Sequence, residues 1–410
     1  MLSCAEAALV ARDPALAGLP LLLDEQGLAE RLGAPVRRRY LRYKQRTACV
    51  LALDVDGERC FAIAYTEHAL PKLAKTVDAA PQGSLLAVDR DLGLLVARPT
   101  ADRDLPALAR FADDLPRALR TALRGVPLDG ATLGQLSHKP QRRWVGRLDV
   151  PGADPVVLRV SRPSTTHATA RAVRALDGHD AWTPRLLGAD PRLGVVAVSW
   201  LAGTGLDELL AAGAARPEHL RAAGAALDEL HSGPRDGLAV RTTEDDVDDV
   251  RRAAKAVGRV LPELLAPSAA LARRLAELLR ESDPAPVSAH GDLSADQVVV
   301  TGTGRTGLVD LDSACAAEPS LDLGGAVAAL HAAALLGTGP QEVDGPSAAL
   351  LAGYTAGGRI VDQHRLQVHV SAALLRRAVE PFRLCRPGWA SQVAELLELA
   401  ERNCPVPVRA

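Results

Sequence analysis

Aromatic side chains are scarce in this sequence, and lysine is scarcer still. Aromatics make up 3% of the 410 residues, so the core must be built from Ala, Leu and Val, which favours helix-rich packing over a large β-sandwich. Only five of the 48 cationic side chains are lysines. The formal net charge is −2, a balance that gives no global attraction to nucleic acid or to an anionic membrane.

Paired cysteine motifs and long apolar runs are also missing. The six cysteines show no Cys-x-x-Cys spacing, which argues against a disulfide framework and against a zinc site. No apolar run reaches the ~18 residues that a membrane span needs, and the N-terminus has no basic segment followed by an apolar stretch. We therefore expect a cytoplasmic protein of two or three domains, at about 150 residues per domain.

An internal repeat divides the N-terminal half. A shift of 95 places Lys44 on Lys139, and further along a shift of 101 places Asp89 on Asp190. The pattern of each copy predicts a β-hairpin, then a helix, and then a second pair of strands. The predicted helices are 67–80 and 164–178, and the predicted strand pairs are 85–97 and 184–200. The alternative is chance similarity in a chain rich in Ala, Leu and Val.

After residue 204 the pattern becomes helical. Apolar residues recur at spacings of three and four in the stretches 206–213, 217–232, 244–260, 268–282, 344–357, 363–380 and 389–402. Segment 286–312 is different, because short apolar runs alternate there with Gly-rich turns, and it predicts a hairpin.

The hairpin carries the side chains that phosphoryl transfer needs. That reaction requires a carboxylate near the attacking hydroxyl and oxygen ligands for a metal on the phosphates. Asp292 and Gln297 stand at the two ends of a tight loop before the first strand, and Asp310 follows the second strand. A hairpin would bring the three to one rim, where Asp292 accepts the hydroxyl proton while Gln297 and Asp310 offer ligands suited to Mg²⁺.

Three motifs in this region together resemble a known family. They are His290-Gly-Asp-Leu-Ser-Ala-Asp-Gln297, Leu308-Val-Asp-Leu-Asp312 and Glu318-Pro-Ser-Leu-Asp322. In this combination they resemble the aminoglycoside phosphotransferase-like enzymes, which share the protein-kinase-like fold. Segment 227–231 is similar to the helix end before the catalytic loop, and segment 198–206 to the hinge that holds adenine. The resemblance covers residues 130–400.

The resemblance implies a role for each matching residue. Asp292 would be the catalytic base, Asp310 the principal metal ligand, and Gln297 would replace the metal-binding Asn. Asp322 would anchor the catalytic loop and His290 would brace it. Hinge positions Ser199 and Leu201 would bind the nucleotide. Asp296 and Asp312 are interpreted as turn or surface carboxylates, with a role in the site as the alternative.

The small lobe departs from the family pattern. Arg159 stands where the family has a Lys, and its reach and geometry differ. Helix 165–176 contains no Glu to pair with it. Lys139 and Arg142 lie in a loop that is not Gly-rich. One hypothesis is that they bind the phosphates in place of the missing Lys, and the alternative is a solvated hairpin end. In the first copy, Ala64 matches Arg159 at a shift of 95.

Two charged segments leave alternatives open. The basic segment 37–46 is interpreted first as an edge strand protected by charge, then as a docking site for an anionic peptide or protein, and last as a nucleic-acid site. The acidic run 244–249 is either a helix start, where carboxylates are favourable, or part of a cleft for a cationic acceptor. The helix start is the favoured interpretation.

We therefore expect an α+β, protein-kinase-like, two-lobed fold. Residues 1–125 would form a duplicated, degenerate small lobe, 126–203 the nucleotide-binding small lobe and 204–410 the helical large lobe. The expected activity is transfer of phosphate from ATP or GTP with Mg²⁺ to a hydroxyl of a small molecule or of a Ser/Thr in a peptide, in natural-product biosynthesis or antibiotic resistance. The alternative is a catalytically weak pseudokinase that acts as a scaffold partner. No membrane partner and no nucleic acid are expected.

Overall fold

The chain folds into two compact units. The computed structural model describes residues 2–177, 183–282, 284–302 and 304–406. One unit holds the chain up to His167 together with Leu187–Ser199 and Pro381–Trp389, and the other holds Ala168–Leu186, Trp200–Glu380 and the chain from Ala390 onward. Among the described residues, no helix combines the length and the apolar character needed to cross a membrane.

The first sheet follows three short helices. These are α1 (Cys4–Ala11), α2 (Leu19–Leu23) and α3 (Glu25–Leu32). The sheet's strands are β1 (Val36–Lys44), β2 (Ala48–Val55), β3 (Glu58–Tyr65), β4 (Leu85–Asp89) and β5 (Leu94–Ala97), in the order β1-β2-β3-β5-β4. Helix α4 (Leu70–Asp78) joins β3 to β4. Phe61, Ile63 and Tyr65 on one face of β3 form a core with Leu73 of α4.

The second sheet follows helix α5 (Ala107–Leu119). Its strands are β6 (Thr132–Lys139), β7 (Arg143–Asp149), β8 (Val156–Ser161), β9 (Leu186–Asp190) and β10 (Val195–Ser199), in the order β6-β7-β8-β10-β9. Helix α6 (Pro163–Ala175) follows β8. Leu158 and Val160 of β8 pack in a core with Phe111 and Leu119 of α5.

The two sheets match in turn geometry as well as in strand order. Asp89 accepts the backbone N–H groups of residues 91 and 92, and Asp190 accepts those of residues 192 and 193. Each turn ends in a left-handed glycine, Gly93 at φ 60° and Gly194 at φ 77°. The strand pairs expected in both copies are therefore present. The interpretation of residues 1–125 as a degenerate kinase small lobe stays a prediction.

The strand register corrects one residue match. The shift of 95 aligns Ala64 with Arg159, but the hydrogen-bonded strand pairing gives Arg159 a different counterpart. Ile63 pairs with Leu95, and Arg159 pairs with Val196. Since Leu95 and Val196 match at the shift of 101, Ile63 is the counterpart of Arg159. The β7–β8 turn is longer than the β2–β3 turn, and this moves the alignment by one residue.

Helices dominate the chain after the second sheet. They are α7 (Leu206–Ala211), α8 (Pro217–Ser232), α9 (Thr243–Val260), α10 (Leu265–Arg280), α11 (Ser320–Leu335), α12 (Asp344–Thr355), α13 (Gln363–Arg377), α14 (Glu380–Arg383) and α15 (Trp389–Asn403). Helix α8 packs on α12, α9 on α10, and α11 on α13. Helix α11 was not among the predicted periodic stretches, because it is buried on nearly every side and so lacks an amphipathic pattern.

Two small sheets lie among these helices. Their strands are β11 (Thr204–Gly205), β12 (Ala239–Val240), β13 (Val287–Ala289), β14 (Val298–Val300), β15 (Thr306–Leu308) and β16 (Cys315–Ala317), in the orders β11-β14-β15 and β12-β16-β13. Strands β14 and β15 form the expected hairpin. Sheets and helices lie largely in separate parts of the chain, which confirms the α+β class.

Candidate functional site

A buried carboxylate holds the loop that carries the His-Gly-Asp motif. Asp322, at the start of α11, accepts the backbone N–H of His290 at 2.6 Å and that of Gly291 at 2.8 Å. The His231 ring lies 3.0 Å from the same carboxylate. Burial alone would raise the pKa of Asp322, but the hydrogen bond and charge of His231, the charge of His290 and the Gly291 N–H together lower it. An ionised Asp322 therefore fixes the loop backbone.

The loop is also braced against the hairpin. The His290 ring lies 2.8 Å from the carbonyl oxygen of Val309. Gly291 has φ 86°, and a Cβ built there would lie 2.1 Å from the Ser313 carbonyl oxygen, so only glycine fits. His290 is thus placed to orient the loop, while Asp292 beside it is exposed.

Gln297 and Asp310 lie at the same end of the hairpin. Val309 donates its backbone N–H to the Gln297 carbonyl oxygen at 2.9 Å, which pairs the residue before β14 with the residue after β15. Asp310 follows at φ 67° and ψ 49°, a left-handed conformation that Asp tolerates. The Gln297 side-chain oxygen accepts the Ser294 N–H at 2.9 Å and keeps a second lone pair.

This donor set suits a magnesium ion that is shared with phosphates. Among the described residues, no group of three or more His, Cys, Asp or Glu side chains is arranged to hold a metal. Mg²⁺ does not need such a group, since it usually binds through one or two carboxylates and the phosphates of the substrate. One carboxylate, Asp310, and one amide oxygen, Gln297, fit that pattern.

The two additional candidates differ in their surroundings. Asp296 is exposed and accepts the Ser294 hydroxyl, as a turn residue does. Asp312 is half-buried in the turn after Asp310. Asp207 at the start of α7 has its pKa raised, first by burial, with a smaller contribution from the negative charge of Asp296. The charge of Asp296 therefore acts on a second carboxylate, that of Asp207.

The acidic run at the start of α9 is paired with cations. Thr242 caps the helix, accepting the Asp245 N–H while its own N–H donates to the Asp245 carboxylate at 2.8 Å. The ion pairs of the other four carboxylates are Glu244–Arg280, Asp246–Arg241, Asp248–Arg251 and Asp249 with both Arg241 and Arg252. This geometry favours the helix-start interpretation over an open anionic cleft.

The charge of the catalytic candidate Asp292 acts on one arginine. Burial first, and the charge of Arg241 second, lower the pKa of Arg376 at the end of α13, whereas Asp246, Asp249 and Asp292 act in the opposite direction. Asp292 is therefore within the electrostatic reach of a guanidinium, and its surroundings are of mixed charge.

The nucleotide-binding candidates belong mainly to the second sheet. Arg159 is buried and lies between Leu158 and Val160, so its side chain is on the face opposite the α5 core. Helix α6 has no acidic residue. Ser199 ends β10, and Leu201 follows where the chain passes into the other unit. Lys139 and Arg142 are exposed at the β6–β7 tip.

The sequence analysis missed one residue at that tip, Gln141, and its partner Asp102. Gln141, between the two cations, donates its backbone N–H to the buried carboxylate of Asp102 at 2.7 Å. A signal was present, because Asp13 with Leu16 has the same spacing as Asp102 with Leu105. Extending the repeat comparison upstream would have found it.

The basic segment 37–46 forms most of β1, an edge strand. Its arginines are largely engaged: Arg38 lies 3.3 Å from Glu6, and the Arg39 Nε donates to Asp54 at 2.7 Å. This favours the interpretation of a charge-protected edge.

Comparison with known proteins places the chain. No curated protein gives a significant match. Similar solved structures include a choline/ethanolamine kinase family protein from Mesorhizobium loti (17% identity, TM-score 0.48, 72% of this chain and 96% of that one). A macrolide 2′-phosphotransferase from Brachybacterium faecium is 20% identical with a TM-score of 0.46, and the match covers 73% of this chain and 100% of that one. An aminoglycoside phosphotransferase from Streptomyces rimosus, in complex with ADP and streptomycin, is 19% identical with a TM-score of 0.48, and the match covers 64% of this chain and 98% of that one. The model of the phosphotransferase enzyme family matches residues 141–367, more than half of the chain, and the chain therefore belongs to that family.

Proposed function

We propose that this chain transfers the terminal phosphoryl group of ATP, or of GTP, to a hydroxyl of a small molecule or of a Ser/Thr in a peptide, with magnesium. The observation that carries the proposal is the loop 290–297. Asp322 fixes the backbone of this loop, and the loop carries the exposed Asp292. The loop ends at Gln297, whose carbonyl oxygen accepts the N–H of Val309, the residue before Asp310.

In this mechanism Asp292 orients the acceptor hydroxyl and receives its proton. The acceptor oxygen forms a bond to phosphorus while the bond between phosphorus and the bridging oxygen of the nucleoside diphosphate breaks. Gln297 and Asp310 would hold the magnesium ion, which supplies charge stabilisation to the phosphates when bound. The protein contributes mainly positioning and electrostatics, because little covalent chemistry is required of it.

Lys139, Arg142 and Arg159 would bind phosphates, and segment 199–201 would bind the base. The acceptor would lie at Asp292, whose carboxylate acts electrostatically on Arg376. The paired carboxylates of 244–249 are occupied by arginines, so a polycation has less to bind there than the sequence alone suggests.

The test is ATP·Mg binding by calorimetry and by thermal shift. Binding to the native state alone stabilises it, by about 2.7 kcal/mol at a ligand concentration of 100 Kd. Asp310→Asn should abolish the magnesium-dependent part of the shift. Asp248→Asn, which removes an exposed carboxylate of α9, should leave the shift intact. An equal shift in Asp310→Asn and wild type would contradict the metal assignment.

The second candidate is a pseudokinase. The substitution of Arg159 for the family's Lys and the lack of an acidic residue in α6 favour it. Asp292→Asn separates the two: in an active kinase it should keep ATP·Mg binding and lose about 10²- to 10⁴-fold in transfer rate. Binding without any transfer, unchanged by Asp292→Asn, would support the pseudokinase.

A further inference from the structure

The tip of the β6–β7 hairpin, residues 139–142, is held by the first sheet. Besides its backbone bond to Asp102, Gln141 donates its side-chain N–H to the Tyr65 hydroxyl at 3.1 Å. Its side-chain oxygen accepts a guanidinium N–H of Arg42 at 2.8 Å. Tyr65 and Asp102 are buried. Gln141 has φ 62°, a conformation that persists only where the surroundings enforce it. The tip therefore has a defined position on the first sheet.

The β1–β2 tip shares the backbone contact but lacks the side-chain contacts. Arg46, at φ 56°, donates its N–H to Asp13 at 2.8 Å. Asp13 also accepts the Tyr43 hydroxyl at 2.8 Å, just as Asp102 lies 3.1 Å from the His138 ring. The Arg46 side chain is exposed, and no described residue hydrogen-bonds to it. A contact with a buried Asp is thus common to both tips. The hydrogen bonds of the Gln141 side chain to Tyr65 and Arg42, here called the clamp, are particular to the second tip.

The clamp covers the face of the first sheet that corresponds to the Arg159 face of the second. Ile63, the counterpart of Arg159, borders a cavity of about 10 Å³ together with Asp102 and Gln141. That volume is about the size of one water molecule, so this cavity has no room for a nucleotide. This face of the first sheet instead binds a loop of the second.

Protein kinases cover the nucleotide phosphates with a glycine-rich loop between two strands. Here the corresponding tip contains Lys139, Pro140, Gln141 and Arg142 and no glycine. We propose that the first sheet positions this tip for the phosphates, and that Gln141 is the positioning residue through which it does so. Because Lys139 and Arg142 flank Gln141, holding Gln141 also restricts where the two cations lie. The inference rests on the proposed function.

The test compares two Tyr→Phe variants that each remove one buried hydroxyl from the first sheet. Tyr65→Phe removes a partner of Gln141, and Tyr43→Phe removes a partner of Asp13. Calorimetry measures the dissociation constants for ATP·Mg and for adenosine. We expect Tyr65→Phe to weaken ATP·Mg binding about 3- to 10-fold, and Gln141→Asn, which is too short to keep both contacts, about 5- to 50-fold. Adenosine affinity should stay the same, because the tip contacts only phosphates. Tyr43→Phe should change neither constant by more than about twofold.

Hydrogen exchange of the amides of residues 138, 139 and 141–143, measured without nucleotide, reports on the clamp itself. The exchange rate should rise in Tyr65→Phe and in Gln141→Asn but not in Tyr43→Phe. A double variant that combines Tyr65→Phe with Gln141→Asn should bind ATP·Mg no more weakly than Gln141→Asn alone, because both changes break the same contact. Three results would overturn the inference and leave the proposed function standing. They are faster exchange with unchanged ATP·Mg affinity, unchanged exchange, and a loss of adenosine affinity equal to the loss of ATP·Mg affinity. Wild type that binds no ATP·Mg would overturn both.

Discussion

On the first sheet, Ile63 occupies the strand position that Arg159 occupies on the second. Phe61, Ile63 and Tyr65 turn the same face of β3 into a hydrophobic core under α4. On β8 that face carries Arg159, and the core lies on the opposite side with Leu158. The two sheets therefore have one backbone plan, while a cation at this strand position, on this face, occurs only in the second sheet.

The parts that the sheets share are those that backbone geometry dictates. Both need an Asp to satisfy the N–H groups of the turn before β5 or β10, and a glycine to leave it. In both, a buried Asp also accepts a backbone N–H from the hairpin tip. The parts that differ are a buried arginine, Arg159, in one sheet and a hydrophobic core around Ile63 in the other. Similarity of fold thus says little about activity, which has to be argued from individual side chains.

The largest effects should come from the shared turn. A Cβ at Gly93 would lie 2.3 Å from the Tyr65 carbonyl oxygen, and one at Gly194 would lie 2.1 Å from that of Ser161. We expect Gly93→Ala and Gly194→Ala each to lower the free energy of unfolding by about 2–5 kcal/mol, from the clash and the left-handed backbone together. Urea unfolding of each variant measures this.

Two other glycines separate the clash from the strain. Gly83 and Gly152 have φ 74° and 72°, but a Cβ at either meets nothing within 4 Å. Their Ala variants should lose only about 1–2 kcal/mol. A small loss in Gly93→Ala beside a large loss in Gly194→Ala would mean that the sheets are less alike than their registers indicate.

The next comparison concerns the face that distinguishes the sheets. Arg159→Met removes a charged donor, and we expect ATP·Mg affinity to fall about 10- to 100-fold, the equivalent of about 1.5–3 kcal/mol for a hydrogen bond to a charged group. Ile63→Met conserves volume, so it should cost less than about 1.5 kcal/mol of stability and leave ATP·Mg affinity unchanged. Arg159→Lys, which keeps the charge, should recover part of the affinity. Equal affinities for Arg159→Met and wild type would remove Arg159 from the site.

The sequence predicted most of the repeat because turns and strand periodicity are local. It placed Ala64 rather than Ile63 opposite Arg159, since the longer β7–β8 turn shifts the register and only strand pairing reveals it. Apolar periodicity did not reveal helix α11, because a helix buried all round has no polar face. The Asp13 and Asp102 contacts were missed because each joins residues more than 30 positions apart.

The Asp that closes the shared turn should contribute less than the glycine. Asp89 and Asp190 each accept two backbone N–H groups, as a helix-capping residue does. Replacement by Ala should cost about 0.5–2 kcal/mol in either sheet. The Asn variants keep an acceptor oxygen and should lose only a few tenths of a kcal/mol. Asp89 also pairs with Arg31, but that arginine is exposed, so the difference between the sheets should stay within about 1 kcal/mol.

The smallest effect is expected at the two edge strands, which differ most in charge. Strand β1 carries Arg37, Arg38, Arg39, Arg42 and Lys44, whereas β6 carries one Lys or Arg residue, Lys139. Three of the four arginines already have partners. If they serve to protect the edge, the logarithm of retention on a polyanion resin should fall only weakly with the logarithm of salt concentration. Arg37→Ser should then change that slope by much less than the ~0.9 expected for the loss of one phosphate contact. A steep slope in wild type that becomes shallower by about 0.9 in this variant would instead favour an anionic partner at β1. The charge difference between the two edges would then reflect a second binding function of the first sheet.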